Sequence, residues 1–327
     1  MGELFLTSMG FSLPSASLDT TRFSNDGDEG DVAAYSSHSR RTAIQSGYIE
    51  ETRNREPYEV LPNLTTSPTQ LAAEAARLAL AQANVSEGEL GLLIGSTSTP
   101  LQTIPTESQR VGKELEVRIP AFDIYGGGAD FALHLETLLA WRRDRIPDYT
   151  LSISTQIPSS RLDYSSGMER HFFGDGAGVA LLSPLSGEYR VVAAKTVMDT
   201  TRATAFSIDL YGHLHCSFEI EEMVFLPQLQ KLYAEVTKNI SDDAVFLESQ
   251  LSSSCSFRLQ ESLGISRNRW LSTVTDHGNM LGAGPYVGLA MLLDKGRENR
   301  SLAPRQIVSL QSGLGLSVGV VVLERVE

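Results

Sequence analysis

Phe173-Gly174-Asp175-Gly176-Ala177-Gly178 runs directly into Val179-Ala180-Leu181-Leu182. Glycine adopts backbone angles closed to other residues and aspartate hydrogen-bonds its own backbone, so the first stretch reads as a turn. The apolar run behind it, short and bounded by turn signals, reads as a buried strand. The same alternation continues on both sides. Upstream, strands are predicted over 90–95, 121–124 and 151–154. Downstream they are predicted over 191–193, 244–247, 307–310 and 318–323. Between them lie helical patterns, the clearest opening at Ser67-Pro68-Thr69-Gln70. Ser67 caps, Pro68 suits the first helical position and Gln70 closes a capping box. Leu71, Ala75, Leu78 and Ala79 then share one face, and the helix ends near Asn84. Further helices are predicted from Gly126-Gly127-Gly128 through Leu139, over 221–239 and over 286–293. Strands alternating with helices in this way give an α/β fold.

Composition narrows the function classes. The chain has 327 residues, 41% of them hydrophobic and 20% charged, which excludes a disordered or fibrous protein. A net charge of −13 lacks the basic footprint of a nucleic-acid binder. Two cysteines, Cys216 and Cys255, exclude a disulfide framework and point to a reducing compartment. No apolar run reaches the length of a bilayer span, and the start carries Glu3 and no basic cluster, unlike a signal peptide. A cytoplasmic location is expected. The polar region 21–55, with 24–31 its most polar part, is expected to be a surface excursion.

Three segments together resemble the 3-oxoacyl-ACP synthase III (ketosynthase III) enzymes of the thiolase superfamily. The turn and strand from Phe173 are similar to one of that family's. Ala121-Phe122-Asp123-Ile124, entering a helix, resembles the strand that carries its nucleophile. Gly278-Asn279, with Gly282 and the helix over 286–293 behind it, resembles its Gly-Asn segment. Fainter likenesses fall between them. Ser46-Gly47-Tyr48-Ile49 with Arg53 is similar to the family's Thr-Gly-Ile and trailing arginines, and Ile104-Pro105-Thr106 through Leu115 to its Phe-Pro-Ser-Thr stretch. Tyr211-Gly212 followed by Phe218 resembles a segment near the pantetheine tunnel, and Gly313-Leu314-Gly315 with Gly319 the C-terminal glycine triplet. The matches keep the family's order and cover most of the chain. The resemblance implies a thiolase-like, five-layered αβαβα fold of two pseudo-equivalent halves, 1–184 and 185–327.

The same resemblance sets expectations for the site. In that family a Cys at a helix N-terminus is acylated by a thioester, with the macrodipole and a His favouring thiolate. A His and an Asn then polarise the malonyl group for decarboxylative condensation. Carried over from Ala121-Phe122-Asp123-Ile124, the nucleophile position is Gly128. The family's His-Gln pair falls on Ser249-Gln250, 30 positions before Asn279. Of the three catalytic positions, Gly128, Ser249 and Asn279, only Asn279 then keeps the family's side chain. Arg53, Gly212, Phe218 and Leu314 are the implied substrate-binding positions.

Other chemistry-bearing residues have bland alternatives. Cys255 lies a turn or two past Ser249, and Cys216 on another segment. Each reads as a small hydrophobe sooner than a nucleophile. His213, His215 and Cys216 could suggest a metal site but lack a fourth ligand, so no metal and no cofactor are expected. His277, two residues from Asn279, is either structural or within reach of the site. Asp130, in the first turn after Gly128, is a partner for the helix dipole or else a base. As a phosphate loop, Gly126–Gly128 lacks the Walker lysine.

Three readings of function follow. In the first, the chain is a non-catalytic or atypical subunit, forming a heterodimer with a Cys-bearing ketosynthase, or a homodimer, in fatty-acid or polyketide-type biosynthesis. In the second, it is an acyltransferase that takes acyl-CoA or acyl-ACP thioesters and works by proximity without a Cys intermediate. In the third, it is an acyl-thioester-binding pseudoenzyme.

Overall fold

The computed structural model describes residues 3–23, 39–165, 167, 169–216, 224–237, 240–313 and 317–326. Their strands are β1 (Phe5–Ser12), β2 (Ser17–Asp19), β3 (Ser39–Arg41), β4 (Leu92–Ser96), β5 (Ala121–Asp123), β6 (Thr150–Gln156) and β7 (Gly176–Ser183). The second half of the chain adds β8 (Tyr189–Met198), β9 (Phe206–Ile208), β10 (Leu214–Cys216), β11 (Val245–Glu248), β12 (Trp270–Ser272), β13 (Gln306–Gly313) and β14 (Ser317–Arg325). The helices are α1 (Ser46–Thr52), α2 (Pro68–Ala83), α3 (Glu107–Glu114), α4 (Asp130–Ala140), α5 (Glu169–Phe172), α6 (Leu226–Val236), α7 (Ser253–Ser262), α8 (Val274–His277) and α9 (Ala283–Glu298).

Ten strands form one sheet in the order β12-β11-β13-β14-β8-β1-β7-β6-β4-β5. Outward from β1, the pairings with β7 and then β6 are antiparallel, and those with β4 and then β5 are parallel. Outward from β8, the pairings with β14 and then β13 are antiparallel, and those with β11 and then β12 are parallel. The two runs of five strands therefore repeat one plan. Among the described residues the two runs pair with each other where Phe5 and Leu6 meet Arg190 and Tyr189.

The layers follow from which faces are apolar. Helices α4 and α9 lie between the two runs, packing on β6 to β8, β1, β11, β13 and β14. The core there joins Leu6 and Met9 of β1 to Phe131, Leu135, Tyr286, Leu289, Val321 and Leu323. Helices α2 and α3 cover the outer face of the first run, and α6 and α7 that of the second. The result is helix, sheet, helix, sheet, helix: an α/β fold of five layers. β7 is buried throughout, as its apolar run predicts. A Cβ at Gly178 would lie 2.3 Å from the Tyr286 Cβ, so glycine lets α9 settle directly on β7.

Local signals hold where their cause is local. The Gln70 N–H donates to the Ser67 Oγ at 3.1 Å, and the Ser67 N–H donates to the Gln70 Oε1 at 2.9 Å, completing the capping box of α2. Leu71, Ala75 and Ala79 are buried, but Leu78 faces solvent at 47% exposure, because the buried arc of this alanine-rich helix is narrower than the pattern suggests. A second expectation fails more broadly. The described part of 21–55 is only partly at the surface: Arg41, Gln45, Glu50, Glu51 and Arg55 are exposed, whereas Arg40, Thr42, Ala43, Ile44, Ile49 and Asn54 are buried. The Asp175 carboxylate draws this segment in, accepting the Ala43 N–H at 2.7 Å as well as the Ser159 N–H at 3.0 Å. Of the long helix predicted over 221–239, the described part is α6.

Candidate functional site

Three glycines carry the chain from β5 into α4. Gly127 and Gly128 take φ of 63° and 113°, angles that L side chains rarely adopt. At the start of α4, the buried Asp130 accepts the Gly126 N–H on Oδ1 at 2.6 Å. Burial pushes its carboxyl up to about 6, against the pull of bonds from Gly126, Gly128 and Ser96. Asp130 thus accepts hydrogen bonds from the turn that precedes it. Above the turn sits the end of β13. A Cβ at Gly128 would lie 2.5 Å from the Gly313 Cα, 3.0 Å from the Ser312 carbonyl and 3.1 Å from the Gln250 Nε2.

Gln250 is the hub of the site. Its Nε2 donates to the Gly128 carbonyl at 2.8 Å and to the Leu281 carbonyl at 2.9 Å, while its Oε1 accepts the Ser312 N–H at 3.0 Å. Asn279 joins through the same residue: its Nδ2 donates to the Gln250 carbonyl at 2.7 Å, and its Oδ1 accepts the Leu281 N–H at 2.7 Å. The turn before β7 holds Asn279 from behind. The Asn279 N–H donates to the Phe172 carbonyl at 2.8 Å, and the Gly174 N–H to the Asn279 carbonyl at 3.2 Å. Gly128, Gln250, Asn279 and Gly313, from four separate stretches of chain, are thereby brought together.

Ser249 is not part of this network. It is fully buried, and among the described residues its Oγ has no hydrogen-bond partner. A Cβ on Gly288 would come within 2.9 Å of that oxygen, so the serine side chain lies against α9 while Gln250 turns toward Gly128. Spacing had singled out Ser249, and Gln250 was named only as its neighbour. The signal for it was the carboxylate just before: the Glu248 Oε1 accepts the N–H groups of both Gln250 and Leu251, bending the chain at this point.

The remaining candidates scatter. The His277 ring is half-buried and makes no hydrogen bond among the described residues. Burial, with Arg41 and Arg40 nearby, lowers its pKa from the usual value. Arg53 ends α1 at φ 61° and stacks on Phe23 with its Cζ 4.6 Å from the ring centre. Gly212 turns the β9–β10 hairpin at φ 90° beside Tyr58 and Arg161. Phe218 and Leu314 lie outside the described residues. Cys255 is buried in α7 and Cys216 is partly buried. In the β9–β10 hairpin the His215 Nε2 pairs with the Asp209 Oδ2 at 2.9 Å. Among the described residues no group of three His, Cys, Asp or Glu side chains could hold a metal ion.

No protein-family model matches the chain. The beta-ketoacyl-[acyl-carrier-protein] synthase III of Neisseria meningitidis is 27% identical over 275 residues, covering 78% of this chain and 83% of its own. That of Porphyra umbilicalis is 24% identical over 344 residues, covering 98% of both. The crystal structure of the Aquifex aeolicus 3-oxoacyl-[acyl-carrier-protein] synthase III superposes with a TM-score of 0.84 at 20% identity, covering 98% of this chain and 99% of that one. The chain is ketosynthase III-like. Its fold is the thiolase-like fold of these relatives, and the Gly128 turn, the Gln250 loop, Asn279 and the end of β13 meet at the candidate site. Among the described residues of this ketosynthase III-like chain, no helix is long and apolar enough to cross a membrane.

Proposed function

We propose that this ketosynthase III-like chain is a non-catalytic subunit that pairs with a Cys-bearing ketosynthase in fatty-acid or polyketide-type biosynthesis. One observation carries the reading: the space above Gly128 holds the Gly313 Cα and the neutral, three-way hydrogen-bonded amide of Gln250. An amide is neither a nucleophile nor a base at neutral pH. Asn279 has an Nδ2–H and its Oδ1 engaged in local bonds, which takes them from a thioester oxygen. Ser249 is turned onto α9, which takes its hydroxyl away from the Gly128 turn and leaves a Cys-independent acyl transfer without the serine that the family's His position would offer.

In this reading the chain meets acyl-CoA or acyl carrier protein thioesters only together with its partner. The proposal sets the pair in the cytoplasm, where thiols such as those of Cys216 and Cys255 stay reduced. It also takes 1–184 and 185–327 as the two halves, a division supported by the repeated strand plan.

The direct test is intact-mass spectrometry of the purified chain after incubation with acyl-CoAs of graded length. The expected outcome is an unchanged mass. A stable adduct mapped to Ser249 or Cys255 would overturn the non-catalytic reading in favour of an acyltransferase.

A further inference from the structure

On one side β8 pairs with β14 along its whole length, but on the other it meets β1 only at Tyr189 and Arg190 among the described residues. The next outward group is satisfied, because the Val191 N–H donates to the Leu4 carbonyl at 2.8 Å. Further along, the Thr196 N–H turns away from β14 and donates to the Glu136 Oε2 of α4 at 2.8 Å. Hydrogen-bonding groups of an antiparallel strand alternate between its two sides, so the N–H and C=O of Ala194 point outward as those of Thr196 do. Among the described residues they have no partner on that side. The edge is closed at Val191 and at Thr196 and open between them.

A cleft of about 680 Å³ follows this open stretch, and residues 192–195 line it without a gap. One face of a strand offers only alternate residues, so four in a row make the edge itself the floor. Its walls are apolar on both sides: Leu139 and Trp141 at the end of α4, and Val236 at the end of α6. Charge differs between its ends. Arg142 pairs with Asp144 at 2.9 Å and Lys195 with Glu235 at 2.8 Å, while Glu136 is held on Thr196 at one end. At the other end the Arg143 Nη2 donates to the Pro184 carbonyl at 3.1 Å, and its guanidinium has no carboxylate partner among the described residues. Pro184 follows Ser183, which pairs with Phe5 beside Arg190, so Arg143 lies toward the start of β8. The eleven residues of α4, about 16 Å of helix, separate this cleft from the Gly128 turn.

We infer that this cleft binds the C-terminal end of an extended apolar peptide from another protein, laid antiparallel along β8 with its terminal carboxylate on Arg143. A peptide backbone supplies both the acceptor and the donor that Ala194 lacks, and its successive side chains fall alternately on the α4 and α6 walls. Run antiparallel, it lies in line with β1 and brings its last residue to the Arg143 end, where a guanidinium fork matches a carboxylate. The test is calorimetric titration of the full chain with the peptide acetyl-Val-Thr-Val-Val, once with a free carboxylate and once amidated. The free acid is expected to bind about tenfold more tightly than the amide, the worth of one hydrogen bond to a charged group. Arg143→Ala should make the two peptides equal. Ala194→Pro removes the open N–H at an edge position, where proline is tolerated, and should abolish binding of both. Val192→Asp, at a side chain 44% exposed, sets a like charge in the floor and should abolish it too, with the circular dichroism unchanged. No heat of binding in the wild-type chain, a preference for the free acid that survives Arg143→Ala, or undiminished binding to Val192→Asp overturns the inference. So does octanoate binding as tightly as the peptide, which would make this a site for apolar anions.

Discussion

Gly128 is defined as much by its neighbours as by its own freedom. At φ 113°, with the Gly313 Cα in the place of a side chain, any substitution meets both strain and a clash. Gly128→Cys is therefore expected to lower stability by about 1–3 kcal/mol from backbone strain alone, before the end of β13 is displaced. Urea unfolding measures the loss. Mass spectrometry should find the new thiol unacylated by acyl-CoA, and a clean thioester there would show that β13 moves aside readily. Buried charge gives a second prediction at this scale. Burial pushes Asp130 and Asp175 up to about 6, so the stability each contributes is present below 3.8 and lost as pH rises through 6. His134 works the other way. Held by Ser152, Tyr286 and the Ile124 carbonyl, its pKa is pushed down to about 4, so its contribution is present above 6.5 and lost as pH falls toward 4. Comparing wild type with Asp130→Asn isolates one group. The variant should gain on wild type by on the order of 1 kcal/mol between pH 5 and pH 7.5, read from urea midpoints. A constant difference across that range would show that Asp130 does not titrate there.

Secondary elements whose cause is local were legible in the sequence. The capping box of α2 is written in four consecutive residues, and Ser67→Ala should cost about 1 kcal/mol in urea unfolding, with Gln70→Ala costing less. The apolar run of β7 needed nothing but its neighbours. The failures share a different cause. The burial of Thr42, Ala43 and Ile44 goes with a bond from Ala43 to Asp175, more than a hundred residues away, and nothing in the polar character of the segment announces that bond. The choice between Ser249 and Gln250 depends on a bend made by the Glu248 carboxylate. Spacing to Asn279 locates the loop but not which of two adjacent side chains turns inward. Asn279 was legible through the likeness of Gly278-Asn279 to a family segment, and in the structure its backbone pairs with the Phe173 turn, the stretch that first suggested the fold. Phe218 and Leu314 rested on likeness alone, without a bond or a spacing to fix them.

For the whole molecule the open question is which surface a partner would cover. β5, the short strand leading to the Gly128 turn, is an end strand of the ten-stranded sheet, and an unpaired edge is a template for another strand. Near it Ile104 is 86% exposed, a large apolar side chain in the loop 101–108, which together with the strand 121–124 is the face we propose for a partner. A permanent interface buries on the order of 2,000 Å² or more and is more apolar than ordinary surface. Homodimerisation of the chain alone would use the same face and so cannot decide the partner. Co-expression with a Cys-bearing ketosynthase from the same source can. The expected result is a heterodimer that survives gel filtration and whose condensing activity disappears when this chain is left out. Ile104→Asp should release it as monomer while leaving its circular dichroism intact, since this side chain is 86% exposed in the isolated chain. If the partner alone condenses at full rate and yields products of unchanged length, the subunit role is lost, whatever the two chains do on a column.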